Sequence, residues 1–569
     1  MLTDFNDGSA PLDHSVDVCV IGGGPAGIVI AHAFLGTSLR VCLVESGGLT
    51  GERCTQALNE GTSIGSLDLD PAACRLRALG GSCNLWGGGC IPLCASDLEK
   101  RAWVPGSGWP ISFADLAPYY ARAQALCQLG DHDFVDGSFV AQPARPPLSL
   151  DPDKLVNATA VASPTHFGEV YRDALAQAPN VEVLLHASVL ELAASASAGS
   201  VRHVRIVSLG GRQGVVRARY FVLACGGIEN ARLLLLSNSV APGGLGNDRD
   251  QVGRYFMDHP RGKIATLFTS DPDVVTLPYD RSFARAPASA FPEIVLSERV
   301  QRARGILSAR VRPVAVEGRV PRGIRAVREL RAALRWGASG ETGSTEAAIH
   351  AAMMPDDDRA ARRASGADRP GVLSRVGRGV GEMTEAFGRK LAGKRAVPTQ
   401  HVDLIGFFEQ APNPDSRIVL GDARDALGQR KVCIDWRLTS LDRFTYRKAA
   451  ALFCAELARV SGGHCKIEPW LQEEGAPALS GAAHHIGTTR MSEDPRYGVV
   501  EPRCRVHGVD NLYVAGSSVF PTGGWAFPTF TIVAMSLRLA DHLKARAASR
   551  SSVGRLEAAR PSSSSFAVA

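Results

Sequence analysis

The segment VDVCVIGGGPAGIVIAHAFL, residues 16–35, constrains the fold more than any other stretch of the chain. A short β-branched apolar run meets a glycine turn and continues as an apolar helix, so the local reading is strand, phosphate turn, helix. The spacing Gly22-x-Gly24-x-x-Gly27 gives each glycine a task. Gly22 takes the tight turn, Gly24 lets backbone approach a pyrophosphate, and Gly27 allows the helix to pack on the strand. Pro25 and Ala26 complete the turn, proline being tolerated at a first helical position. The amides at that helix start then face phosphate charge. A second apolar strand, RVCLVESGG, ends in Glu45 about 20 residues on, where an acid suits ribose hydroxyls. Together these imply a nucleotide-binding α/β domain.

Length and composition frame that domain. A chain of 569 residues exceeds one ordinary core, which predicts two linked domains. With 45% hydrophobic and 21% charged residues the composition is globular. No apolar run reaches membrane-spanning length and the first residues lack a secretory pattern, so the expected location is cytoplasmic. The thirteen cysteines form no CxxC or CxxCH, and Cys83, Cys90 and Cys94 fit no iron–sulfur spacing; buried thiols are expected and no metal. The net charge of +6 is concentrated between residues 301 and 400, where Arg and Lys outnumber Asp and Glu roughly two to one. No aromatics interleave with those charges as they do on a nucleic-acid surface.

Further along, VRARYFVLACGGIENARLLLLS repeats the strand–glycine–helix pattern and delivers Ala224 to the same sheet. The alternating stretch NVEVLLHASVLEL brings Val189 toward an adenine. A return to the nucleotide sheet after a long excursion fits a large flavoprotein, so FAD is favoured over NAD.

These residues, with RALGGSCNLWGGGC, VGRYFMDHP, FFEQAPNPDSRIVL, HHIGTTRM and RVHGVDNLYVAGSSVFPTGG in that order, resemble the glucose–methanol–choline (GMC) oxidoreductases, in particular a bacterial sugar- and pyranose-dehydrogenase-like branch. The resemblance spans nearly the whole chain. It implies a Rossmann-like FAD domain of discontinuous segments interleaved with a substrate domain on an antiparallel sheet. The expected division is 1–259 for the first FAD part, 260–480 for the substrate domain with a basic helical insert at about 315–397, 481–545 for the return to the FAD domain, and 546–569 as a disordered tail. Within the insert, PRGIRAVRELRAALRWG and VLSRVGRGVGEMTEAFGRKLAGKR read as basic amphipathic helices covering the sheet. A docking face for an acidic substrate, carrier or membrane surface is the alternative.

The resemblance also implies a reaction and its residues. Oxidising an alcohol on FAD needs a base for the hydroxyl proton, and histidine suits that task near neutral pH. The family's H-x-x-G-T pattern falls on His484, Gly487 and Thr488, making His484 the base, with His485 at the following variable place. The flavin is expected beneath Gly80, Gly81, Ser82 and Cys83, with Asn84 bonding its polar edge. Leu85 stands where some relatives carry a covalently linked histidine, which implies non-covalent FAD. Gly516 and Ser517 serve the ribityl chain and pyrophosphate, and a helix starting at Pro528 and Thr529 aims its positive end at the pyrimidine.

One position departs from the pattern. Relatives place Asn or His where this chain has Phe527, and a phenyl ring makes no hydrogen bond; loss of such a partner from a buried hydroxyl costs about 1–3 kcal/mol. Three outcomes follow: His485 or water substitutes, the ring forms a packing wall, or the chemistry changes to desaturation, a tailoring oxidation or a lyase step. The first expectation is oxidation of a sugar, glycoside or similar alcohol. No haem or iron–sulfur site is encoded, leaving oxygen, a quinone or a partner protein as electron acceptor.

Overall fold

The apolar run at the N-terminus forms the strand Asp13–Ile21, its last four residues buried, because both faces of a parallel sheet are covered. In the structure, a computed structural model, residues 1–8, 11–131, 146–280, 289–321, 323–325, 328 and 380–558 are described. Asp13–Ile21 lies inside an eight-stranded sheet in the order Leu2–Asp4, Val181–Leu185, Val41–Val44, Asp13–Ile21, Gln213–Leu223, Val201–Val207, Ser188–Ala194. The eighth strand, Leu512–Val514, pairs parallel with the end of Gln213–Leu223. Register lines up the carboxyl ends of four strands: Ile21 pairs with Val44 and Leu223, and Leu223 with Val514. The glycine turns at Gly22, Gly226 and Gly516 and the acid Glu45 therefore emerge along one edge, where open parallel sheets bind ligands.

A second, fully antiparallel sheet runs His464–Ile467, Arg261–Phe268, Thr399–Phe408, Ala309–Glu317, Ala290–Leu296, Leu155–Ala162, Gly89–Cys90. Its last two strands precede residue 260, so this sheet draws on the segment assigned above to the first domain. One face is covered by the helix Ser440–Ser461, whose start is fixed by a reciprocal Thr439–Asp442 capping box and whose end is fixed by Gly462 at φ 61°. Tyr446, Phe453 and Leu457 of that helix join Ile264, Leu404 and Val311 of the sheet in one buried core. A small third sheet pairs Gly61–Gly65 with Arg430–Trp436 and Arg417–Arg424.

The terminal helix Pro528–Ala558 packs against Phe113–Leu126 and Pro25–Ala33. It continues past residue 546, where the sequence was expected to lose order, since an Ala- and Arg-rich stretch is a good helix former; residues 559–569 lie outside those described. Of the basic insert, the helix Val380–Leu391 is described, while most of PRGIRAVRELRAALRWG lies outside the described residues. Among the described residues no helix is long and apolar enough to cross a membrane, and no group of His, Cys, Asp or Glu is placed to hold a metal ion.

Candidate active site

A cavity of about 410 Å³ runs along the carboxyl edge of the first sheet and reaches under the second. Gly22, Gly24, Pro25, Ala26, Glu45, Gly81, Ser82, Val189, Ala224, Gly516, Ser517, Pro528 and Thr529 line it, together with His484, His485 and Phe527. Three expected residues do not: Gly80 packs against Asn84, where a Cβ would fall 2.0 Å from the amide oxygen, and the other two are Gly27 and Asn84. Gly27 sits behind the wall, where any Cβ would fall 1.9 Å from the Gly22 carbonyl oxygen, so its place is helix-to-strand packing as the spacing predicts. Asn84 turns inward and donates to the Leu79 carbonyl at 2.9 Å, leaving its Oδ1 buried without a partner.

The lining fits a dinucleotide. A side chain on Gly24, Gly226 or Gly516 would meet nothing within 4 Å, so open space faces the backbone at all three turns. Gly226 and Gly516 also have φ of 83° and 97°, a region that disfavours side chains. The helix Pro25–Ala33 starts without a side-chain cap, leaving its first amides for a phosphate. Glu45 is held by amides of Gly23 at 2.7 Å and Gly47 at 2.8 Å, one on each oxygen. Each oxygen keeps lone-pair capacity for a hydroxyl. Leu85 lines the cavity and offers no atom for a covalent flavin link.

At the other end stand two histidines. Met257 and Ile486 exchange backbone hydrogen bonds as an isolated antiparallel bridge. Continuing that register two residues places His259 opposite His484, and their Nδ1 atoms lie 2.8 Å apart. His259 Nε2 is 2.8 Å from the Gly524 carbonyl oxygen, which can only accept, so that nitrogen carries the proton. Burial holds the His259 ring down at about 4, hence neutral with a bare Nδ1. His484 must therefore donate through Nδ1, which leaves its Nε2 bare and without a protein partner among the described residues. Burial, then His259, Arg310 and Arg261, hold His484 well below the ordinary histidine value of 6.5.

The backbone of this pair is pinned by Asp258. One carboxylate oxygen accepts from the amides of His259 at 2.6 Å, His484 at 2.9 Å and Ala482 at 3.2 Å. Burial raises that carboxyl to about 6, against the lowering effect of those amides. His259 and Asp258 were within a quoted motif but carried no expected role; their adjacency in MDHP was the available signal.

His485 faces elsewhere. Its ring stacks on Phe256 at 6.0 Å between centroids, and burial pushes it down to about 3 with Nε2 unpartnered. Phe527 instead stands edge-on to His484, with centroids 6.2 Å apart, and against Gly89, where a Cβ would come within 2.8 Å of the ring. On its other side the Arg310 guanidinium sits 4.7 Å from the ring centroid.

A family model described as GMC oxidoreductase matches residues 412–536, the stretch that carries His484, Gly516 and Phe527. Over that stretch the chain is similar to the GMC oxidoreductases. The chain is 25% identical to the 6'''-hydroxyparomomycin C oxidase of Streptomyces lividus over 95% of its length and 94% of that protein's. It is 24% identical to the paromamine 6'-oxidase of Streptomyces fradiae, over 93% and 91% of the two chains. In fold it is similar to a formate oxidase, with a TM-score of 0.54 at 17% identity over 94% of this chain and 99% of that one. The cofactor is FAD, and the open glycine turns and uncapped helix start described above fit it. Leu85 agrees with a non-covalent one.

Proposed function

We propose that this chain oxidises a hydroxyl group of a sugar-like small molecule to a carbonyl, with His484 as the base. The observation that carries the reading is the proton order along Gly524, His259 and His484. It leaves His484 Nε2 as a bare acceptor beside the cavity, in a ring that stays neutral at neutral pH. Bound FAD supplies the two-electron oxidant for the carbinol carbon. The chain's residues do the rest. His484 Nε2 takes the hydroxyl proton, His259 fixes the tautomer and ring plane, and Asp258 fixes the backbone of both. Phe527 forms a wall that blocks water from one side of His484 and packs the carbon skeleton of the substrate.

The names of the relatives support an alcohol as the reacting group, since paromamine and hydroxyparomomycin are hydroxylated sugars. None of those proteins is named for desaturation or a lyase step. Both are named oxidases, which supports molecular oxygen as the acceptor. A cytoplasmic location is supported by thirteen cysteines none of which is paired.

The test is anaerobic mixing of the FAD-loaded protein with alcohols while flavin absorbance is followed. Wild-type flavin should bleach. His484→Ala should retain bound FAD and bleach about 10²–10⁴-fold more slowly; unchanged bleaching by that variant would remove His484 from the role.

A further inference from the structure

The second sheet turns an unusual face to the reacting end of the cavity. Arg261, Phe407 and Arg310 are direct cross-strand neighbours on three adjacent strands, so they share that face. Arg312, two residues beyond Arg310, lies on it too. All three arginines line the cavity, and Arg310 lies against Phe527, which faces His484. Arg310 and Arg261 are also near enough to depress the His484 ring.

Their state is as telling as their number. Arg310 is 3% exposed, and its guanidinium lies 3.7 Å from the Phe407 ring centroid and is bonded to Glu293 at 3.1 Å. Its Nε is buried with no partner. Arg312 makes no ion pair or hydrogen bond among the described residues. The carboxylates on the cavity wall are Glu45, Glu229 and Asp425, all committed elsewhere: Glu45 to backbone amides, Glu229 to Arg75, Arg77 and Arg232, and Asp425 to Arg232. Beside the arginines the carboxylates of Glu293, Asp258 and Glu409 are buried and off the cavity wall, Glu409 paired with Arg101. Desolvated guanidinium N–H groups without acceptors are costly to keep, and planar forks match carboxylate and phosphate oxygens.

From this we propose that the substrate is an anionic sugar or polyol, bearing a carboxylate or phosphate that Arg312 and Arg310 bind while its hydroxyl faces His484. The inference rests on the alcohol-oxidation reading for the reacting group and adds the substrate's charge. It separates this chain from its aminoglycoside-oxidising relatives, whose named substrates carry amines that this wall would repel.

Two measurements on the FAD-loaded protein test it. In anaerobic flavin bleaching, D-glucuronate or D-glucose 6-phosphate should exceed D-glucose in kcat/KM by about tenfold or more, the worth of one charged hydrogen-bonded contact, with D-glucosamine slowest. The better of the two acids identifies the group as carboxylate or phosphate. Equal or faster bleaching by glucose or glucosamine overturns the proposal. The second measurement needs no turnover: calorimetric binding of tetrahydropyran-2-carboxylate and of its carboxamide, neither of which has a hydroxyl to oxidise. The carboxylate should bind about tenfold tighter, and Arg312→Gln should erase that preference. Equal affinities, or a preference that survives Arg312→Gln, overturn it. If no alcohol bleaches the flavin yet the carboxylate preference holds, the oxidation reading has failed and the charge assignment stands. Arg310→Gln strips Glu293 of its buried partner and can fail to fold, which is why Arg312 carries the decisive variant.

Discussion

At the scale of single residues, His259 is what gives His484 a defined proton. A histidine with both ring nitrogens uncommitted divides between tautomers, and the Nε2–H form presents an N–H to a substrate hydroxyl instead of a lone pair. Replacing His259 should therefore slow flavin reduction without releasing FAD. His259→Ala should lose about tenfold or more in rate, within the span of a general-base contribution. His259→Gln, whose amide can accept from His484 and donate to Gly524, should recover part of it; if Ala and Gln variants behave alike, the tautomer argument falls. The pH profile carries a second expectation. Because His484 is held well below 6.5, the rate should stay level as pH drops through 6.5 and decline only at more acidic values. The Arg261 charge contributes to that depression, so Arg261→Met raises the His484 value and should shift the acid limb toward higher pH. A limb that stays put or moves down contradicts the sign. His484 was legible in the sequence through its motif; His259 was not, because its role depends on the Met257–Ile486 bridge, a pairing 229 residues apart in the chain that no local pattern announces.

At the scale of elements, the sheets divide what sequence can show from what it cannot. Strand–glycine–helix units were readable around Gly22 and Ala224, where apolar runs and glycines coincide. The face of the second sheet was partly readable: ARVRPVAVE alternates, placing Arg310 and Arg312 on one side, yet which side meets the cavity is decided by pairing with Thr399–Phe408. The helix Gly226–Leu236 carries a further device. Glu229 binds Arg75, Arg77 and Arg232, and so ties that helix to the segment before Gly80 and, through Arg232 and Asp425, to the small third sheet. The three guanidiniums hold the Glu229 carboxyl far below its ordinary value despite burial. Glu229→Gln keeps the shape and removes the counter-charge, leaving buried cations uncompensated; a loss of about 3–5 kcal/mol is expected, read as a lower urea midpoint at unchanged m-value. A variant as stable as the parent would mean that water reaches the cluster.

At the scale of the whole molecule, the cavity is assembled from residues as far apart as Ile21 and Ile532, and each wall comes from a different part of the chain. The resemblance made that discontinuity legible; spacing alone showed one phosphate turn. What neither showed is how late the site is completed. The strand Leu512–Val514, the turn at Gly516 and the start of the terminal helix are the last pieces, and Gly524 supplies the acceptor that orders the two histidines. During synthesis, then, the ribosome has released nearly all of the first sheet before the cofactor has a place to bind. FAD capture therefore waits for residues 512–532, since the Gly516 turn and the helix start at Pro528 both line the cavity. Ribosome-stalled chains ending at residue 505 should bind no flavin, while chains stalled with residue 558 clear of the exit tunnel should bind it; flavin retained by the shorter chain would contradict this order. Without FAD the same glycine turns and uncapped helix start border an open cavity, and a chain in that form should be cleaved by protease faster than the loaded one.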